Sequence, residues 1–438
     1  MLNQYKKLLT QLIAFKSVST DKSFKPEIDK TADFLNDLLK ENSFESRIIK
    51  GYSNPIVVAS YIADPKYKTC LIYGHYDVQP ADKSEGWHSE PFALTEDKGR
   101  LIARGVVDNK GQIAIHLTSV FKLIKESNLG YNIKFMIEGD EETGSSHLES
   151  FLKDHQNLLK ADFTIVSDGE IVSQIPVIET GFRGGFDIHL TLKTSEIDLH
   201  SGLYGGAAPN CAHEAAKLLS KIFDENNRVA IPDFYNNVDQ ISQEISKNNQ
   251  NVPFDFQEYQ KMTCTKALLT EPEYDFCTQV GLRPTVQITG LESGYNGEGY
   301  RNSLPPKATV KLNFRLVKSQ KIEEVIGGVK KFIKENLPDY VDYEIKVDNQ
   351  FEGIKLTIDN EYVVKAIDIL EKAYNQKPLF KYCGGGLPII TFFNDVLKLK
   401  QVIVPLGNED CAMHAVHENF RLDNIEKGLK FSYDFLKK

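Results

Sequence analysis

Residues 71–80 read LIYGHYDVQP. An apolar run, Leu71-Ile72-Tyr73, meets Gly74, and then His75 and Asp77 stand two positions apart before Pro80 closes the stretch. A short apolar run bounded by glycine and proline reads as a buried strand. In an open α/β sheet, ligands collect beyond the carboxyl ends of the strands. A buried strand that ends in an imidazole and a carboxylate therefore sets the question of what lies past it.

The surrounding sequence repeats the pattern. Strand-like runs PIVVASYI (55–62), TCLIYGHYDV (69–78), YNIKFMIEGD (131–140) and ADFTIVSDG (161–169) alternate with helical periodicity at 110–127 and 147–159. This order predicts an α/β domain with a mixed, mostly parallel sheet and helices on both faces. Near residue 181 the character changes. GGFDIHLTLK (184–193) alternates apolar and polar positions, a helical segment covers 207–223, and a polar stretch occupies 225–280. Strands at 285–291, 308–317 and 342–347 and a helix at 320–336 complete a βαββαβ-like order, an inserted α+β domain. From about 355 the α/β character returns through 361–374, 388–393, 402–407 and a final helix at 423–437. The expected division is a discontinuous catalytic, metal-binding domain of 1–180 and 355–438 and an inserted lid and dimerisation domain of 181–354. The length of 438 residues is in keeping with more than one core.

Composition narrows the function. Hydrophobic residues make up 41% and charged residues 26%, as in a globular protein. The net charge is −9 and no dense basic stripe offsets it, so nucleic acid is not an expected partner. No apolar run approaches the roughly 20 residues of a membrane span. The start, MLNQYKKLLTQLIAFKSVST, is interrupted by Thr10 and Gln11 and reads as an amphipathic first helix rather than a signal peptide. Six cysteines lie singly, without a Cys-x-x-Cys pair, which argues against thiolate zinc and disulfide frameworks and for a reducing, cytoplasmic compartment.

Each strand of the α/β domain ends in the same class of residue. His75 and Asp77 follow one, Glu138, Asp140, Glu141 and Glu142 another, and Asp168 a third. ARGVVDNKG (103–111) sets Asp108 just before a helix, and MHAVHE (413–418) supplies His414 and His417 after VIVPLG. Carboxylates converging on one rim repel unless a positive charge sits among them. A pair of divalent ions resolves this, since histidine nitrogen and carboxylate oxygen bind such ions in their deprotonated forms. On a strand, i and i+2 share a face, so Asp77 is expected to accept from one ring nitrogen of His75 and leave the other for a metal. Taken singly, each element also fits an ordinary role. H-x-D can end any strand, EGDEETGS can be a solvated loop, Asp108 can cap its helix and Asp168 can make a turn with Gly169. Their joint occurrence after successive apolar strands favours the metal. His116, His189 and His213 fall within expected elements and read as core or surface histidines, and His88 and His155 as loop or surface residues.

GHYDVQP, RGVVDNKG, EGDEETGS, SDGE, DLHSGLYGG and MHAVHENF together resemble the co-catalytic zinc aminopeptidase-like family of carnosinase, bacterial dipeptidases, acetylornithine deacetylase and succinyl-diaminopimelate desuccinylase. The likeness runs through nearly the whole chain, and DVQP with DLHSGLYGG is most similar to the cytosolic nonspecific dipeptidase branch. The resemblance implies a hydrolase of short peptides, most of all dipeptides with a free C-terminal carboxylate. The alternatives are an N-acyl amino acid deacylase on the same dinuclear site and a metal-binding interaction module without catalysis. It further implies two divalent ions, Zn2+ foremost with Mn2+ or Co2+ as substitutes. His75 and Asp168 would hold one, Glu142 and His414 the other, and Asp108, with a cis bond to Asn109, would bridge them. Glu141 would be the general base and Asp77 would orient His75. His200 would stabilise the oxyanion in the site of the second subunit of a homodimer formed through the inserted domain. Arg315 would grip the substrate carboxylate and Asn302 make a polar contact to substrate.

Two departures stand out. GGGLP places Gly386 where the family has a serine, so a main-chain N–H would replace its hydroxyl. The family's His-Ala-Pro-Asn-Glu is here His414-Ala415-Val416-His417-Glu418, which makes His417 a competitor for the ligand position, although Met413-His414-Ala415 favours His414. The 225–280 insertion is expected to help close the site and shape specificity.

Overall fold

A computed structural model describes all residues, 1–438. The chain forms two compact units, one of residues 1–180, 356–381 and 389–438, the other of residues 181–355 and 382–388.

The first unit is built on a six-stranded sheet. Its spatial order is Glu45–Ile49, Ile56–Tyr61, Asn132–Glu138, Thr69–His75, Phe163–Val166 and Lys400–Ile403. The last four strands run parallel and the first two pair antiparallel, so the sheet is mixed and mostly parallel. The inner strands are almost continuously buried, Phe163–Val166 throughout and Thr69–His75 from Cys70 onward, as strands covered on both faces are. The helix Lys110–Lys125 is buried along most of its length, and the helices Leu2–Ile13, Glu361–Tyr374 and Leu422–Leu436 each bury one apolar stripe in the same core. Such stripes at 3.6-residue spacing are what hold surface helices to a sheet.

Several boundaries differ from the sequence expectation. The strand through LIYGH ends at His75, and residues 76–77 leave it. The segment 147–159 is two short helices, Leu148–Asp154 and Gln156–Leu159, and Pro388–Asp395 is a helix.

The second unit holds a four-stranded antiparallel sheet in the order Thr285–Ser293, Lys307–Leu316, Gly184–Lys193 and Asp342–Phe351. Helices Cys211–Leu219 and Ile322–Asn336 contribute to one core with alternate residues of the sheet, including Phe186, Leu190, Val310 and Phe314. The opposite positions, such as Asn313 and Arg315, are only half-buried, which is the alternation read in GGFDIHLTLK and its partner strands. The polar insertion forms short capped helices, Gln243–Gln250, Phe256–Thr263 and Phe276–Leu282. No helix is long and apolar enough to cross a membrane, and none of the six cysteines is in a disulfide.

Candidate metal centre

The site grows from the carboxyl end of the central strand. Gly74 lets the neighbouring loop approach closely. A Cβ there would stand 2.8 Å from Asn109 Oδ1 and 3.0 Å from Ile113, so a larger residue would displace the Asp108–Asn109 turn. That turn contains a cis peptide bond between Asp108 and Asn109. Asn109 ties two strand ends together, accepting from His75 N at 3.4 Å and donating from Nδ2 to Ser167 O at 2.8 Å.

His75, fully buried, points Nε2 at three carboxylates: Asp108 Oδ1 at 3.0 Å, Asp168 Oδ2 at 3.6 Å and Glu141 Oε2 at 3.9 Å. Asp108 extends its other oxygen to His414 Nε2 at 2.8 Å, and the same nitrogen lies 3.2 Å from Glu142 Oε2. Two groups of donor atoms result, His75-Asp108-Asp168 and Asp108-Glu142-His414, each with its atoms within 4.8 Å of one another. They share Asp108. Glu141 lies beside the first group and belongs to neither.

The charges here are poorly balanced by the protein alone. Burial, with Asp168, Asp108 and Asp77 nearby, raises Glu141 well above the ordinary glutamate range against the pull of His75. Burial works against a charged His75, but the carboxylates of Asp108, Asp168 and Asp77 beside it outweigh that and raise its pKa. The hydrogen bond to Asp108, then that to Glu142, pushes His414 up to about 10. Asp108 is buried, yet its two histidine contacts hold it below the usual range. Four carboxylates thus crowd two imidazoles, and such a cluster requires a further countercharge.

His75 Nε2 is buried without a hydrogen-bond partner despite its 3.0 Å approach to Asp108. An orphaned buried nitrogen aimed at carboxylates is costly unless something accepts its lone pair. Neutral imidazole, carboxylate oxygen and a shared bridging aspartate make the hard-to-borderline donor set suited to divalent ions. The residues present fit a pair of such ions.

Asp77 departs from the i, i+2 expectation, because the strand has already ended. His75 Nδ1 meets the main-chain oxygen of Asp77 at 3.1 Å and its carboxylate at 3.4 Å. The carboxylate instead accepts from the backbone N–H groups of Glu141 at 3.3 Å and Glu142 at 3.1 Å. One buried aspartate therefore steadies the histidine and the acidic loop together. The acidic run itself divides. Glu138 accepts from Tyr73 Oη at 2.6 Å and Ser145 Oγ at 2.8 Å, and burial lifts it to about 7. Asp140 accepts from Asn54 N and Nδ2, both at 2.7 Å. Only Glu141 and Glu142 turn toward the histidines.

His417 does not enter the cluster. It stacks on His88 with ring centroids 4.1 Å apart and meets Trp87 edge-on at 5.8 Å. His116 is a core histidine, fully buried between Ser432 Oγ and Ser167 Oγ, each at 2.9 Å.

The supporting contacts of three residues were not read from sequence. Glu418, fully buried, accepts from the N–H groups of Gly105, Val107 and Asp108 and pairs with Arg104 at 2.9 Å. It fixes the loop that carries Asp108 from more than 300 positions away. Gln79 donates to Glu142 Oε2 at 2.7 Å. Asn109 is the third. Gln79 and Glu418 lie inside the quoted motifs, and that position was their one sequence signal.

The remaining candidates, His200, Asn302, Arg315 and Gly386, belong to the second unit. His200 pairs with Ser303 on adjoining short strands, and Ser201 N donates to Asn302 O at 3.0 Å, so His200 and Asn302 are neighbours. Arg315 lies over the Phe351 ring at 6.0 Å. Gly386 abuts the same ring, since a Cβ there would come within 2.1 Å of it. Phe351 thus explains the glycine at this position: a serine would collide with the ring that underlies Arg315.

The likeness to known proteins agrees with this geometry. The Cys-Gly metallodipeptidase DUG1 of Candida albicans is 29% identical over 448 residues, covering 96% of this chain and 92% of that protein. The human Beta-Ala-His dipeptidase is 28% identical over 388 residues, covering 86% and 76%. The crystal structure of the M20 family metallo-carboxypeptidase Sso-CP2 from Sulfolobus solfataricus superposes with a TM-score of 0.90 at 29% identity, covering 99% and 98% of the two chains. Residues 71–438 match Peptidase family M20/M25/M40, and the chain belongs to that family.

Proposed function

We infer that the protein is a metal-dependent dipeptidase that hydrolyses short peptides with a free C-terminal carboxylate. The observation that carries the reading is the double donor cluster joined through Asp108, with Glu141 beside it as an uncommitted carboxylate. Relatives named as dipeptidases and a neighbour named as a metallo-carboxypeptidase support that substrate class.

His75 and Asp168 would hold one divalent ion, Glu142 and His414 the second, and Asp108 both. Ions bound there supply polarisation of the scissile carbonyl and a lowered pKa for water. Glu141, whose raised pKa suits a proton carrier, takes a proton from the attacking water and passes it to the leaving amine. Asp77 holds the Glu141–Glu142 backbone and His75 in register for this transfer. Arg315 receives the substrate carboxylate, for which a planar guanidinium is suited. Asn302 contributes a polar contact to substrate, and the Gly386 N–H replaces the serine hydroxyl of relatives. His200 donates to the oxyanion, a contact of a type that contributes about 3 kcal/mol, in the site of a second copy of the chain.

The two units are proposed to be a catalytic domain of 1–180 and 355–438 and a lid and dimerisation domain of 181–354. The insertion at 225–280 shapes specificity, the native ion is Zn2+ with Mn2+ or Co2+ as substitutes, and six cysteines outside any disulfide are in keeping with the cytoplasm.

The test is hydrolysis of a dipeptide panel and a panel of N-acyl amino acids by metal-stripped protein, with Zn2+ or Mn2+ added back. Metal-restored cleavage of dipeptides supports the reading. Cleavage of acyl amino acids alone replaces it with a deacylase.

A further inference from the structure

A cavity of about 530 Å3 lies within the second unit, in the size range of small-molecule sites, with Arg183, Arg315, Thr285, Asn313, Tyr235 and Leu269 among its lining. Thr285 and Arg315 are register partners on adjacent strands, as are Gln287 and Asn313, so this wall presents a line of polar side chains from one face of the sheet.

Two guanidinium groups line it together. Arg183 donates from Nε to Gly384 O at 2.8 Å and from Nη1 to Arg283 O at 3.0 Å and Thr285 Oγ1 at 3.3 Å, all neutral acceptors. Arg315 rests against the face of Phe351. The carboxylate that borders the cavity, Glu271, is already occupied. Arg283 binds it through two hydrogen bonds of 3.1 and 2.9 Å, and Arg228 approaches at 3.6 Å. Burial lowers Arg183 to about 10, and the like charge of Arg315 adds a smaller repulsion in the same direction. An anion between them would remove that repulsion, and planar guanidinium groups bind carboxylates through paired hydrogen bonds. One α-carboxylate needs one such group; a second guanidinium calls for a second anion.

We propose that Arg183 and Arg315 form a single anion cradle that selects dipeptides ending in aspartate or glutamate, Arg315 taking the α-carboxylate and Arg183 the side-chain carboxylate. The assignment rests on the dipeptidase reading of Arg315. Arg183 is then a specificity-determining residue, and its tie to Gly384 fixes the Gly384–Gly386 loop beside the bound peptide.

The experiment compares Ala-Glu with the isosteric, uncharged Ala-Gln in the metal-loaded enzyme. The wild type is expected to favour Ala-Glu by about 10-fold or more in kcat/KM, with the difference in KM. Arg183→Gln should raise KM for Ala-Glu more than for Ala-Gln and so erase the preference, while Arg183→Lys retains part of it. Equal KM values in the wild type overturn the proposal. So does an equal rise for both peptides in Arg183→Gln, which is what loss of the Gly384 tie alone would produce. Calorimetric titration of the same holoenzyme with free glutamate and free glutamine gives a readout independent of turnover. Heat from glutamate alone, lost in Arg183→Gln, supports the cradle even if no dipeptide is cleaved, in which case the dipeptidase reading falls and the cradle stands. Cleavage of dipeptides without any preference for the acidic one removes the cradle and leaves the dipeptidase.

Discussion

His75 Nε2 and Asp108 Oδ1 face each other across 3.0 Å, and the nitrogen has no hydrogen bond although it is fully buried. A side chain held in this way by Gly74 below it and Asp77 beside it is set to donate its lone pair to an ion. His75→Ala should therefore lose bound metal, measured as metal content after dialysis against a weak chelator, and lose activity in parallel. Full metal content in the variant would remove His75 from the ligand set.

Glu141 borders the cluster without belonging to either donor group. Glu141→Gln should keep its metal and lower kcat by about 10²–10⁴-fold, the usual contribution of a positioned proton carrier. Unchanged kcat would assign the proton transfer to another group.

Glu418 joins three backbone N–H groups and Arg104 behind the Asp108 loop. Replacing one member of a buried ion pair leaves the other charge uncompensated, at a cost of about 3–5 kcal/mol. Glu418→Gln should show a loss of this order in urea unfolding. A variant as stable as the wild type would mean that Arg104 finds another partner.

His116 is fully buried, and burial lowers it from 6.5 to about 4. It folds neutral, so the unfolded chain takes up its proton first as the solution is acidified. Its contribution is complete above pH 6.5 and is lost as pH falls from there through 4, about 3 kcal/mol in all. His116→Gln should flatten this part of the stability profile relative to the wild type. Parallel profiles between pH 7 and 4 would contradict the assignment.

Gly386 abuts Phe351, and a Cβ there would stand 2.1 Å from its ring. Gly386→Ser should overpack the loop and lower stability by about 1–3 kcal/mol. The double variant with Phe351→Ala should recover most of it. Thermal unfolding of the three variants decides, and a stable single variant would show that the ring moves aside freely.

Local patterns carried much of this protein. Apolar runs marked the inner strands, because burial on both faces dictates them, and the two-residue period marked the half-exposed strands of the second unit. The histidine and carboxylates after those runs marked the rim, because a strand delivers its next residues to its own carboxyl end. What no local pattern contains is the direction of each side chain. In the acidic run, Glu138 and Asp140 turn to Tyr73, Ser145 and Asn54, while Glu141 and Glu142 turn to the histidines, a choice made by partners as far along the chain as His414. His417 was drawn away by its stacking on His88, Glu418 reached the Asp108 loop from 310 residues away, and Phe351 required the glycine at 386. Residue chemistry and periodicity are properties of the chain, whereas contact between distant side chains exists only after the chain has packed.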